Sequence, residues 1–261
     1  MKMKDSRKLL LKSRFNNIGA RLSTVVLVLS LFWLSIAASW TLCSSFNFAF
    51  PILYDVVEID QNIEEFGSQN RYKDDFEITT DEERMRLFAM IVKSVNADGE
   101  GLEELVYVDP QGRVIDTFLT EPERVHLQDV ANLITAVEQT LVIFILIALT
   151  CVVFIYYSGI TPPSTLRVFL YSSGVIGLAG MIIVVSGAES VFYDLHTLVF
   201  PEGHQWFFYY QESLMTMLMK APVIFAYITP LLFLISLLIF AALWRMFEYG
   251  LQFSRSRHAN S

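Results

Sequence analysis

Four stretches of this chain are apolar at almost every position: residues 22–42, 137–157, 168–186 and 223–244. At ~1.5 Å of helix per residue, about 20 such residues cross a hydrocarbon core of ~30 Å. Each stretch is of that order, and Glu138, at the entry of the second, is the one acidic or basic side chain within them. The pattern predicts four membrane-spanning helices. The first is too long for the apolar core of a secretory signal, which runs to ~7–15 residues. A lipoprotein signal is excluded too, because Leu42 precedes Cys43 where a small residue is needed. It is expected to be a retained helix.

Between the first two runs the periodicity changes. From Thr80, acids fill a first turn and Met85, Phe88, Met90, Ile91 and Val95 recur at helical spacing until Asp98-Gly99. This predicts a capped amphipathic helix. Residues 102–119 hold two short β-prone runs around Asp-Pro-Gln-Gly, the composition of a hairpin. Thr120 and Glu123 then stand at capping-box spacing, with Pro122 tolerated in a first turn. A helix starting there runs without a breaker into the second apolar run. It either bends to lie in the interface or enters the membrane deeper in the chain than residue 137.

The expected fold is therefore mainly α, a four-transmembrane-helix bundle with a small α+β extracytoplasmic insertion between helices 1 and 2. Around the spans lie a basic tail (1–21), the insertion (43–136), a short link (158–167), a second outer loop (187–222) and a final tail (245–261).

Charge orients the layout. Lys2, Lys4, Arg7, Lys8, Lys12, Arg14 and Arg21 precede the first span, and Arg245, Arg255 and Arg257 follow the last. Basic residues mark the cytoplasmic side, so both termini are expected inside, in a multi-pass membrane protein. Residues 46–138 carry 21 acidic and 7 basic residues. The chain's net charge of −8 thus belongs to an outer loop and argues against nucleic acid as a partner. Cys43 and Cys151 fall at the surface and in the bilayer respectively, too far apart for a disulfide framework, and are expected to pack.

The candidate chemistry lies beside the spans. His126 precedes the second and His196 follows the third, at the same leaflet. Histidine exchanges protons near neutral pH, which suits it to general acid–base work. Asp129, three residues after His126 on the same helical face, is placed to orient that ring, and Asp194 or Glu189 to do so for His196. Trp206 to Tyr210 form an aromatic run of the kind that settles at a membrane interface. His204 is expected in a loop and His258 in a disordered tail. No HExxH, paired CxxC, GxSxG or phosphate loop is present. A zinc site would need His126, His196 and His204 together with an acid, and no metal or cofactor is expected.

His126-Leu127-Gln128-Asp129-Val130 before a membrane helix resembles the bacterial lipoprotein intramolecular transacylases, with Leu127 where methionine is common. So does "LHTLVF" followed by Trp206, Glu212, Leu214, Met215 and Pro222 to Phe225, though Glu212 stands in place of an aspartate. The resemblance implies an outer-leaflet membrane acyltransferase. It would move an acyl chain from the glyceryl ester of a diacylglyceryl-cysteine to the α-amino group of that cysteine. The implied catalytic residues are His126 and His196, with Asp129 orienting and with Phe200 and Trp206 facing lipid or substrate. The implied partners are diacylglyceryl-modified lipoprotein N-termini and membrane lipids. The competing expectation is a non-enzymatic membrane protein whose acidic outer loop binds a partner or senses a ligand.

Overall fold

The computed structural model of the chain describes residues 2–259. All four apolar runs are helical: α1 (Lys2–Ser45), α5 (Glu121–Ser158), α6 (Thr165–Ser186) and α9 (Val223–Ala259). Each contains a span long and apolar enough to cross a membrane. With the small hairpin and helices between α1 and α5, this bears out the mainly α fold class. Both tails continue their helices: α1 starts at Lys2 and α9 ends at Ala259. His258 therefore sits on helical backbone rather than in a disordered tail; its side chain lies outside the described residues.

The chain divides into two compact units. The first comprises residues 1–39, 139–180 and 233–261. Its core is Leu27, Ala148, Cys151, Ile155, Val168, Phe240, Trp244 and Leu251. Phe32 meets Phe240 edge-on at 5.8 Å, and Trp244 meets Phe247 at 5.3 Å. A few polar bonds accompany this packing. Trp33 donates its indole N–H to Thr140 at 2.9 Å, Trp244 donates to the Pro163 carbonyl at 3.1 Å, and Thr165 donates its hydroxyl to Glu248 at 2.6 Å. Outward, Leu146, Leu149, Val153, Leu170, Val175 and Leu238 are exposed. Apolar surface on that scale belongs against lipid tails rather than water.

The second unit comprises residues 40–138 and 181–232. Its helices are α2 (Phe50–Val56), α3 (Ile59–Phe66), α4 (Asp81–Val95), α7 (Ala188–Val199) and α8 (Leu214–Met219). Strands β1 (Val106–Val108) and β2 (Val114–Thr117) pair antiparallel across a turn closed by Gly112 N–H to the Asp109 carbonyl at 2.8 Å. The expected amphipathic helix is α4: the Thr80 side chain caps it by accepting from the Glu83 N–H, and Leu87, Phe88, Ile91, Val92 and Val95 face inward. Phe88 stacks on Phe50 at 3.8 Å, and Phe76, Tyr107 and Phe118 fill the space beside the hairpin.

Arg84 is buried at the centre, donating to the Tyr54 hydroxyl at 2.8 Å, to Asp60 at 2.5 Å and to the Glu77 carbonyl at 3.0 Å. Those acceptors offset the cost of removing a guanidinium from water. Burial in turn pushes the Tyr54 hydroxyl well above its ordinary pKa.

Two features of this unit were not expected. Residues 50–66 form α2 and α3, and the second outer loop contains α7 and α8. Gly187, at φ +90, lets the chain turn between α6 and α7, a conformation L side chains rarely adopt. The second loop is stitched to the insertion by Asn62 Nδ2 to the Met217 carbonyl (2.9 Å), Lys220 Nζ to the Val57 carbonyl (2.7 Å) and Arg71 to Glu212 (2.7 Å).

Candidate functional site

α5 is continuous from Glu121 to Ser158, so no break in the helix separates the stretch carrying His126 from the second apolar run. Its 38 residues extend ~57 Å, well beyond a ~30 Å hydrocarbon core. As far as Glu138 it packs within the second unit. That is the stretch carrying His126 and Asp129.

The start of α5 is held by one carboxylate. Glu123 is fully buried. Its Oε2 accepts from the Thr120 N–H and hydroxyl, both at 2.6 Å, which is the capping-box contact the Thr120–Glu123 spacing predicts. Its Oε1 accepts from the Ser213 hydroxyl at 2.5 Å and the Met215 N–H at 3.2 Å, on the first turn of α8. A single side chain therefore caps α5 and ties it to a segment some ninety residues away. His126 is one turn further on.

His196 occupies the last turn of α7. With side chains at i and i+4 on one helical face, Phe192 and Phe200 flank it, at centroid distances of 3.9 Å and 5.3 Å. Trp206 lies 4.9 Å away. His126 meets the same Phe200 at 4.9 Å and Phe208 at 6.1 Å. The two histidines, from opposite sides of the third span in sequence, thus share one aromatic wall and are near enough to interact electrostatically.

Their nitrogens differ. His196 Nδ1 lies 2.7 Å from the Phe192 carbonyl. A carbonyl only accepts, so Nδ1 carries the proton and Nε2 is the nitrogen left to take one. The expected carboxylate partners, Asp194 and Glu189, do not fill that role: a main-chain carbonyl one turn back does, because it is already within reach on the same helix. His126 Nδ1 is buried with no hydrogen-bond partner among the described residues. A buried polar atom of that kind calls for an explanation, and an absent ligand is one.

Asp129 departs from the expectation. Its Oδ2 lies 2.6 Å from His204 Nδ1, in the loop that follows α7. It orients the exposed His204 by a direct bond and reaches His126 only through space. Nothing in the spacing of His204 revealed this, because the contact closes a loop of 75 residues. Next to Asp129 on α5, Gln128 donates to the Asp98 carbonyl at 3.0 Å. The close approach requires Gly99, since a Cβ there would collide with the Gln128 amide and its φ is +85. Among the described residues, no three His, Cys, Asp or Glu side chains gather as a metal-ligand set.

The sequence matches the family profile described as lipoprotein intramolecular transacylase Lit over residues 22–221. Among curated proteins none matches significantly. Solved structures of the membrane integral lipoprotein intramolecular transacylase Lit from Bacillus cereus share the fold. A histidine-to-arginine variant superposes with a TM-score of 0.64 at 16% identity, covering 97% of this chain and 99% of that one. A histidine-to-alanine variant gives 0.63 at 15% identity, covering 93% and 98%. A third structure gives 0.62 at 16%, covering 92% and 99%.

Proposed function

Since this chain belongs to the lipoprotein intramolecular transacylase family, we propose that His126 and His196 are its catalytic pair, acting on a diacylglyceryl-modified lipoprotein N-terminus. The observation that carries the reading is their shared wall at Phe200, with one ring's tautomer fixed and the other ring's Nδ1 unpartnered. His196 Nε2 takes a proton from the cysteine α-amine as that nitrogen attacks the carbonyl carbon of a glyceryl ester. The new C–N bond forms, the C–O bond to glycerol breaks, and the proton passes to the departing alkoxide, leaving a glyceryl hydroxyl. His126 polarises the ester carbonyl. Protons balance, so no metal or nucleotide is required. General acid–base catalysis of this kind contributes ~10²–10⁴-fold, and holding amine and ester in one molecule adds a large effective molarity. Asp129 supports the pair through space. Phe200 and Trp206 face the lipid part of the substrate.

The protein is membrane integral, with four candidate spans. We place it in the bacterial plasma membrane with both termini cytoplasmic and the histidines at the outer leaflet, on the strength of the basic termini and the acidic insertion. Cysteines introduced at Ser68 and Ser256 should label from opposite sides. Equal outside labelling would overturn that orientation.

Mass spectrometry of lipoprotein N-termini tests the reaction. Cells expressing the chain should accumulate the N-acyl, monoacylglyceryl form, and cells expressing H126A or H196A should not. An unchanged lipoprotein profile in the presence of the wild-type chain would favour a binding or sensing role for the acidic insertion instead.

A further inference from the structure

Beside Phe208 the second unit has an open cavity of about 420 Å³. Tyr72, Lys73, Thr120, Pro122, Gln205 and Glu212 complete its lining. Its lining is mixed, with polar and apolar surface in about equal parts. Phe192, Phe200 and Trp206 surround His196 with rings, whereas the cavity presents hydroxyl, amide and charged groups. Phe208 belongs to both: it is buried, lines the cavity and stands 6.1 Å from the His126 ring.

A diacylglyceryl-cysteine has the same division. Its acyl chains are apolar, the polypeptide beyond the cysteine is polar, and the reacting amine and ester lie at the junction. We infer that this cavity holds the first residues of the polypeptide that follow the lipidated cysteine, with Phe208 as the partition between peptide and reacting atoms. The inference rests on the transacylase reading above and names the substrate's peptide subsite. The volume falls in the range of pockets that bury small ligands or short segments, ~300–1,000 Å³.

The charges of the lining are already spoken for. Lys73 donates to Asp116 at 2.9 Å and to the Thr117 hydroxyl at 2.7 Å, and Glu212 pairs with Arg71 at 2.7 Å. The occupant is therefore met by balanced charge and by neutral hydrogen-bonding groups such as Tyr72 and Gln205. Such a lining suits main-chain amides rather than one type of side chain. An enzyme serving many lipoproteins needs that tolerance.

The test uses the full-length protein in lipid nanodiscs and two synthetic substrates with the same diacylglyceryl-cysteine. One ends as the cysteine amide, and the other continues into a short Ser/Ala/Gly peptide. Wild type should turn over the peptide-bearing substrate with a kcat/KM at least about tenfold higher. Gln205→Trp, which fills the cavity from an exposed loop, should bring that ratio close to one. Tyr72→Ala, on the exposed rim, should lower it by a smaller factor. Exchanging the Ser/Ala/Gly peptide for one containing Lys and Asp should leave the wild-type ratio within about threefold. A wild-type ratio of one, or a ratio untouched by both variants, would overturn the subsite while leaving the transacylase reading intact. A strong preference between the two peptides would overturn the neutral-lining argument. No turnover of either substrate would remove the transacylase reading and the subsite with it.

Discussion

The two units of this protein solve their packing in opposite ways. The first, with most of the spanning residues, closes around Leu27, Phe240 and Trp244 and adds polar bonds such as Trp33 to Thr140 and Thr165 to Glu248. Lipid tails are as apolar as those side chains, so little hydrophobic force holds helices together there, and close packing with a few hydrogen bonds takes its place. The second buries Arg84, Glu83, Glu123 and Asn62 and satisfies them with specific partners. Packing of the first kind tolerates exchange of one apolar group for another, whereas the second kind fails when one partner is lost. The candidate site lies wholly in the second unit. The candidate reacting groups thus sit in the unit whose buried polar side chains are held by specific partners.

The largest effect should come from the histidines. H126A and H196A are each expected to lower turnover by ~10²-fold or more, with the double variant only slightly worse, because groups acting as a unit are non-additive. Folded yield should stay near wild type. Lyso-form lipoprotein per folded protein is the measurement, and near-wild-type values for both single variants would remove the catalytic assignment.

Next is the contrast between the units themselves. Glu123→Ala strips acceptors from Thr120, Ser213 and the Met215 N–H inside a closed space. Each buried group left unmatched costs ~1–3 kcal/mol, so a loss of about 3 kcal/mol is expected, with turnover falling as α5 and α8 separate. Glu123→Gln keeps accepting oxygen at one end and should be milder. In the first unit, Phe240→Leu should cost under ~1.5 kcal/mol, since an apolar swap leaves no polar group stranded. Thermal unfolding in one detergent compares the three. Equal losses for Glu123→Ala and Phe240→Leu would erase the distinction.

A smaller effect belongs to Asp129 and His204. Through-space support of His126 makes Asp129→Asn cost about tenfold in turnover, while His204→Ala should cost about threefold or less. If Asp129 acts through the bond to His204, the double variant will match Asp129→Asn alone. Full additivity would mean the two act separately. A three-histidine zinc site predicts a different result, loss of activity and of bound metal in His204→Ala.

These contrasts also mark what the sequence could disclose. Hydropathy alone picks out four spans, because a bilayer makes one demand that about 20 consecutive residues either meet or fail. The Thr80 cap, the Asp109–Gly112 turn and the Thr120–Glu123 contact were legible for a related reason: each closes within four residues. The histidine pair was visible as two rings at the same leaflet, but not their common Phe200. The Glu123–Ser213 and Asp129–His204 bonds join positions 90 and 75 residues apart. No local pattern encodes such pairings, and spacing along its own helix points Asp129 only to His126. The helices α7 and α8 were hidden for a different reason. They are short, at 12 and 6 residues, and the aromatic run that reads as an interface anchor, Trp206 to Tyr210, lies between them and in neither.

The smallest effect concerns a surface pair of the second unit and sets a floor for the comparison. The Lys73 hydrogen bond holds the Asp116 carboxyl below its usual range, helped by the Thr117 N–H. A carboxylate whose folded-state pKa is depressed contributes stability that is fully present above its unfolded value, ~3.9, and is lost as pH falls through the folded one. The contribution should therefore be flat from pH 5 to 8 and fade only in strong acid. Asp116 is about half exposed, at 49%, so solvent screening reduces the pair to a few tenths of a kcal/mol. Lys73→Met should lower the melting temperature slightly and equally at pH 5 and pH 8, and the gap to wild type should narrow near pH 3 and in high salt. No gap at any pH would mean that Lys73 contributes through its stem's packing, which Met largely keeps, and not through its charge. The exposed charges of this unit would then obey the rule of the first unit, and only its buried ones would set it apart.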